Sequence, residues 1–305
     1  RQVGVGWPRR DEAQPLIDLQ RVGVDDDAAA LAGHVEGQRR LAAGGRTRYQ
    51  NRDFSSHENA LSVLCLIANP AEPVLDLPLL QRVQAEIGGE INWLTQRIAA
   101  EIVKPKHAAP LDAARALVAG RPVDVALVPL VNRRKKLLIA DMDSTMIDQE
   151  CIDELADAVG IKDEVAAITA RAMNGELDFE AALRTRVKLL KGLKVSRMEE
   201  VRRERITFAP GGRALVQTMK THGAFTSLVS GGFTYFADYI GKRIGFDEAM
   251  ANIIEVDGDA LDGTVRSPII GREAKLSRLM TLAAYHDIPL AATLALVAGV
   301  ALAKT

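Results

Sequence analysis

Three short apolar runs, "KLLIA" (136–140), "FTSLVS" (225–230) and "AATLALV" (291–297), mark the second half of the chain as strand-forming. Each of the first two runs into a polar or glycine-rich loop and then a helical pattern. That order predicts a doubly wound parallel sheet. Between them, residues 151–211 carry helical spacing almost throughout, in "CIDELADAVG", "KDEVAAITARAMNG", "DFEAALRTRVKLLKGL" and "SRMEEVRRE". An insertion of that length after a single strand predicts a helical cap over the active edge of the sheet. The stretch 57–130 has a different rhythm. "ALSVLCLIAN", "EINWL", "AAEIVKP" and "PVDVALVP" read as short strands, with helices at "DLPLLQRVQAEIG" and "PLDAARALVAG". Two helices among four strands predict a small α+β domain of ferredoxin-like type. Residues 1–56 show little periodic hydrophobicity, with nine arginines, eight acidic residues and no lysine. They are expected to form a loosely ordered extension with one helix over "DDDAAALAGHVEGQRRLAAG", where Asp25–Asp27 cap its N-terminus. The expected division is therefore an extension over 1–56, an α+β domain over 57–130, and an α/β core over 131–305 with its cap at about 151–211.

Composition narrows the functional classes. With 39 basic and 40 acidic residues among 305, the net charge of −1 gives no field suited to nucleic acid or to an anionic membrane. No apolar run approaches the ~20 residues that span a bilayer. No basic segment leading into an apolar one marks a secretory signal. Cys65 and Cys151 form no CxxC pair, which points to a reducing, cytoplasmic setting. His107, in "KPKHAAP", reads as a solvated loop residue.

The candidate chemistry begins with "DMDST" at the end of the first apolar run. Ligands of open α/β sheets bind beyond the carboxyl ends of the strands, where Asp141 and Asp143 fall. In extended chain, positions i and i+2 face one side, so both carboxylates enter one site. Their repulsion calls for a cation or a shared proton. One carboxylate can then attack an electrophile while the other moves a proton. A helix cap plus a turn aspartate is the plainer reading of a lone DxD. The strand before it and Ser144–Thr145 after it favour chemistry. In "LVSGGF", Ser230 is expected to end a strand, and Gly231 and Gly232 to let the backbone approach a ligand before the next helix starts. Free N–H groups, a hydroxyl and a helix dipole suit phosphate. Lys275, in "GREAKLSRL", can neutralise a phosphoryl group in transfer, although alone it reads as a surface lysine.

Taken together, "DMDST", "SGGF" and "GREAK" resemble the first three motifs of the haloacid-dehalogenase-like phosphatases. The longer text around them resembles the phosphoserine phosphatase branch over roughly residues 59–295. The resemblance implies Mg²⁺-dependent hydrolysis of L-phosphoserine through an aspartyl-phosphate, the last step of serine biosynthesis. By motif position it implies Asp141 as nucleophile and Asp143 as general acid and base. Mg²⁺ would sit on the Asp141 side chain and the Asp143 main-chain oxygen. Glu150 would read the substrate ammonium, Arg186 its carboxylate, and Ser230, Gly231 and Lys275 its phosphate. Met173 and Phe179 would line the closed pocket or pack as helical core, two readings of equal weight, and a homodimer is compatible with the resemblance. A "GDGxND"-type acidic loop is expected after the third strand, but "VAGVALAKT" stands there instead. No aspartate or asparagine follows Asp287. Asp287 precedes that strand at the wrong edge of the sheet, and Asp257, Asp259 and Asp262 read as turn formers. The sequence therefore supports a second expectation, an impaired relative that binds a phosphorylated ligand or a partner without efficient turnover.

Overall fold

The computed structural model describes residues 62–297. The expected extension over 1–56 and its helix lie outside them. The described residues fall into two compact units that meet in sequence between Arg133 and Arg134.

The first unit is built on four strands, β1 (Ser62–Ala68), β2 (Glu90–Thr95), β3 (Ala99–Val103) and β4 (Val123–Pro129). They pair antiparallel in the order β2-β3-β1-β4. Helices α1 (Leu77–Ile87) and α2 (Pro110–Val118) lie on one face. The order is that of the ferredoxin-like split βαβ arrangement. Leu64, Leu66 and Ala68, alternate residues of β1, pack with Leu79, Leu80, Val83 and Ala114 of the helices. Period-2 alternation against a 3.6-residue period is what lets these two faces meet. Asp76 starts α1 by accepting a hydrogen bond from Leu79 N–H at 2.7 Å, ahead of Pro78 in the first turn. His107 is half-buried and not fully solvated, and its Nδ1 accepts from Ala109 N–H at 3.0 Å.

In the second unit, β5 (Leu137–Ala140), β6 (Phe225–Phe233), β7 (Glu248–Asn252) and β10 (Thr293–Leu296) form a parallel sheet in the order β10-β5-β6-β7. All four residues of β5 are buried. Leu138 and Ala140 face one apolar cluster, Leu137 and Ile139 the other. That double burial explains why "LLIA" reads as a continuous apolar run. The chain proceeds from β5 to β6 to β7, then returns to the opposite side of β5 as β10. The order of strands thus reverses between β5 and β10, where doubly wound sheets bind ligands. Asp141 N–H donates to Leu296 O across this switch point at 2.9 Å.

Four helices follow β5: α3 (Cys151–Ala158), α4 (Lys162–Met173), α5 (Phe179–Leu189) and α6 (Val195–Glu204). Leu155, Leu183, Val187, Leu190, Met198 and Val201 of this group share one apolar cluster with Leu138, Ala140 and Leu228 of the sheet. Helix α7 (Gly212–Thr221) leads into β6, and α8 (Thr234–Ile244) leads out of it. After β7 comes a hairpin, β8 (Ile254–Asp257) and β9 (Ala260–Val265), then α9 (Arg272–Tyr285). Leu279, Leu282 and Ala283 of α9 cover the second face of the sheet. No helix among the described residues is long and apolar enough to cross a membrane.

Three local expectations are corrected. Ser230 does not end its strand. β6 continues through Gly231 and Gly232 to Phe233, and its pairing with β7 slips between Val229 and Phe233. Glycines inside a strand permit such a bulge. A fourth core strand, β7, was not anticipated, because "EAMAN" alternates weakly and is only partly buried. Asp262 is not a turn residue. It lies in β9 and accepts from Thr264 N–H and Oγ, both at 2.7 Å.

Candidate active site

Chain direction changes sharply after β5, and this places the acidic pair. The carbonyl of Met142 accepts from Thr145, Met146 and Ile147 N–H groups, closing a tight turn at the sheet edge. Within it Ser144 takes a left-handed backbone, φ 51°. A residue with a Cβ adopts this region at a cost, and such strain gathers at working sites. The conformation lets Ser144 N–H donate to Gln149 O at 3.1 Å and its hydroxyl donate to Glu150 Oε1 at 2.6 Å. Glu150 is thereby oriented by the same turn that carries the two aspartates. A single sequence does not reveal this role for Ser144. The only hint is serine's tolerance of turns.

The aspartates have separate partners. Asp141 accepts from Met142 N–H at Oδ1 (2.9 Å) and forms an ion pair with Lys275 Nζ through Oδ2. Only 16% of the Asp141 side chain and 18% of Lys275's are exposed, so the pair is largely withdrawn from water. Asp143 accepts from Cys151 N–H, at the start of α3, at 2.9 Å, and from Ser230 Oγ at 3.3 Å. The Ser230 hydroxyl, fully buried, in turn accepts from Gly232 N–H at 2.8 Å. Burial pushes the Asp143 carboxyl above the usual carboxylate range. The bonds from Cys151 oppose that, the charge of Asp141 adds to it, and Ser230 lowers it again. Glu150, although an exposed residue, is likewise raised, by local desolvation first, against the Ser144 hydrogen bond and with Asp143, Asp153 and Asp141 adding to it. A carboxyl held high in a cleft is suited to giving up and retaking a proton.

The raised Asp143 has a consequence for stability. A carboxyl whose folded pKa exceeds its unfolded value favours the fold most at pH below both values. That contribution is lost as pH rises through the folded pKa. Asp143→Asn, neutral at every pH, is therefore expected to raise the melting temperature near pH 7 in metal-free buffer. The gain should shrink towards pH 4, as thermal unfolding followed across that range will show.

Gly232 owes its place to space. A Cβ there would fall 2.5 Å from Asp143 Oδ2 and 2.8 Å from Met142 Cε. At Gly231 a Cβ would meet the Phe179 ring at 3.0 Å, and at Gly271 at 3.1 Å. Phe179, the first residue of α5, thus lies against the backbone of both glycines. Gly232→Ala is expected to displace Asp143 and cut turnover at least ~100-fold, since ångström shifts of a catalytic group cost that much. Gly231→Ala meets only a ring that can swing aside, and should lose less. Steady-state rates of the two variants check the order.

The other expected residues lie on the capping helices. Arg186, on α5, is half-buried and donates to Ala182 O (3.3 Å) and Thr169 Oγ1 (3.4 Å). Burial lowers its pKa, while the nearby charges of Asp153 and Glu150 raise it. The structure therefore brings Asp141 to Lys275 and Asp143 to Ser230 by direct contact, and Glu150 and Arg186 into each other's field. The side chain of Met173 is outside what is described. Asp287 follows α9, across β10 from the switch point, with a left-handed φ of 52°. Asn252, unremarked in the sequence, is 1% exposed and bonds three backbone groups beside the site.

A parallel sheet with a strand-end DxD, a serine-glycine bulge and a lysine helix meeting at its switch point defines a class. The haloacid dehalogenase-like hydrolase family model matches residues 138–296, and the chain belongs to that family. Within it, the chain is 42% identical over 176 residues to "Phosphoserine phosphatase" of Streptomyces coelicolor, covering 57% of this chain and 43% of that one. It is 47% identical over 148 residues to "Probable phosphoserine phosphatase" of Schizosaccharomyces pombe, covering 48% and 49%. The chain spans about half the length of the curated relatives it matches. Among solved structures it resembles a HAD family hydrolase of Salmonella enterica serovar Typhi, with TM-score 0.64 and 26% identity over 77% of this chain and 82% of that one. It also resembles a probable phosphoserine phosphatase of Vibrio cholerae, with TM-score 0.62 and 28% identity over 79% and 73%.

Proposed function

We propose that this chain hydrolyses L-phosphoserine to L-serine and phosphate, as a cytoplasmic enzyme of serine synthesis. The observation that carries this reading is the meeting of the Asp141–Lys275 and Asp143–Ser230 pairs at the switch point, under helices that bear Arg186. Phosphoserine presents an ammonium, a carboxylate and a phosphate. Glu150 offers the ammonium a counter-charge, and Arg186 offers the carboxylate a planar fork. Ser230, the Gly231 N–H and Lys275 receive the phosphate.

In the proposed reaction Asp141 attacks phosphorus while the bond to the serine oxygen breaks. Asp143 delivers its proton to that oxygen, which leaves as a hydroxyl. Water then attacks the aspartyl-phosphate, Asp143 takes up its proton, and inorganic phosphate departs with Asp141 restored. Lys275, paired with Asp141 before substrate arrives, turns its ammonium to the phosphoryl oxygens and offsets their charge. Electrostatic stabilisation in a dry cleft supplies most of such a barrier reduction. Phosphate release from L-phosphoserine, compared with a phosphomonoester whose alcohol part carries no charge, tests the reading. Absence of release from both would overturn it.

A divalent cation, Mg²⁺ in the resemblance, fits the described residues poorly. Among them no group of three or more His, Cys, Asp or Glu side chains could hold a metal. The Oδ2 of Asp141 is engaged by Lys275. Mg²⁺ requires near-octahedral oxygen ligands and gives up water reluctantly, so Asp141 with one main-chain oxygen binds it weakly. Calorimetric titration of this chain is expected to approach saturation only at about millimolar Mg²⁺ or above. Saturation at micromolar metal would mean that donors outside the described residues complete the site. The same donor shortage favours a second reading, a relative that binds a phosphorylated ligand without efficient turnover. Single-turnover measurements with and without Mg²⁺ separate the two.

A further inference from the structure

Asn252 closes β7 and is buried to 1% exposure, so its amide must find partners inside the protein. It finds three. Nδ2 donates to Gly231 O at 2.9 Å and to Ile270 O at 3.0 Å, and Oδ1 accepts from Ile270 N–H at 2.7 Å. Gly231 belongs to the serine-glycine bulge. Ile270 immediately precedes Gly271, which caps α9, the helix of Lys275. One side chain therefore ties the serine-glycine bulge to the loop that launches the lysine helix. The same two segments carry the glycines against which Phe179 of α5 rests. The tie also reaches the cap by a second route. Arg184 of α5 donates to Val265 O at 3.1 Å and Ser267 Oγ at 2.8 Å, on the segment that runs on to Ile270.

We propose that Asn252 is a positioning residue that sets the spacing between the Gly231 N–H and Lys275, and with it the seat of Phe179. The inference rests on the phosphatase reading for its catalytic consequence. β-Sheet pairing alone does not require an amide here, because the ladder between β6 and β7 slips at this point and leaves Gly231 O to the side chain. Loss of the amide removes the Asn252 partner from two part-buried carbonyls and from Ile270 N–H, and the two segments are then free to separate.

The proposal separates phosphate handling from recognition of the amino-acid end. Asn252→Ala is expected to lower kcat at least ~30-fold and to raise the inhibition constant of inorganic phosphate by a similar factor. The ratio of kcat/KM for L-phosphoserine to that for a phosphomonoester whose alcohol part carries no charge should stay within about twofold, because Glu150 and Arg186 lie elsewhere. Asn252→Asp keeps the acceptor for Ile270 N–H and the volume but loses both donors, so it should behave alike. The emission of Phe179→Trp, read as the difference spectrum against the same protein with Phe179 intact, should shift to the red in both Asn252 backgrounds. That readout needs no turnover, so an inactive wild-type chain would overturn the phosphatase reading and leave the positioning role to the fluorescence. The proposal is overturned if either variant folds with unchanged phosphate inhibition, kcat and 179 emission. It is equally overturned if both variants unfold the whole chain, because the role assigned is local.

Discussion

Asp141→Asn is expected to reduce phosphate release from L-phosphoserine to background, a loss of at least about a thousandfold. Among the described residues, Asp141 is the switch-point carboxylate paired with a lysine, and the amide that replaces it is a poor nucleophile. Removing a nucleophile from a site that acts as a unit costs nearly all of the chemistry, beyond what binding alone retains. The fold should survive, because Asn preserves the Oδ1 acceptor for Met142 N–H. Asp143→Asn should lose about 10²–10⁴-fold, the usual contribution of a proton carrier. Its loss should fall mainly on kcat. Stopped assays of both variants beside the wild type check this, and wild-type rates from Asp141→Asn would remove the mechanism.

The second large effect is on substrate choice. Glu150→Gln and Arg186→Met should each cost about 2–5 kcal/mol for L-phosphoserine, because a charged group of the ligand is left unpaired in a closed pocket. That corresponds to roughly thirty- to several-thousandfold in kcat/KM. A phosphomonoester whose alcohol part carries no charge should lose little with either variant. Arg186→Lys should recover only part of the loss, since an ammonium cannot reproduce the two-pronged contact. Equal losses on both substrates would mean that Arg186 serves the packing of α4 on α5 through Thr169.

The sequence was most legible where one physical requirement dominates. Strand β5 is buried on both faces, so its four apolar residues announce it, and helices α3, α5 and α6 each send apolar residues into one shared cluster. Strand β7 is different. "EAMAN" has little pattern of its own, and it is a strand because β6 offers it a ladder. The length of β6 was hidden for a related reason. Two glycines read as a loop, yet here they give a strand room for the Asp143 carboxylate. At the site, residue types were readable, while their pairing depends on long-range topology. Nothing local to "GREAK" says that its lysine meets the aspartate 134 positions earlier. The orienting role of Ser144 and the tie made by Asn252 were illegible because a left-handed φ and the burial of an amide arise only in the folded chain.

The central claim is that Asp141 takes the phosphoryl group. Rapid acid quench of the full chain with L-phosphoserine labelled in its phosphate tests it most directly. The account predicts label bound to protein, recovered on the peptide that contains Asp141 and absent from Asp141→Asn. Phosphate release with no label on that peptide, or label retained by Asp141→Asn, would contradict it.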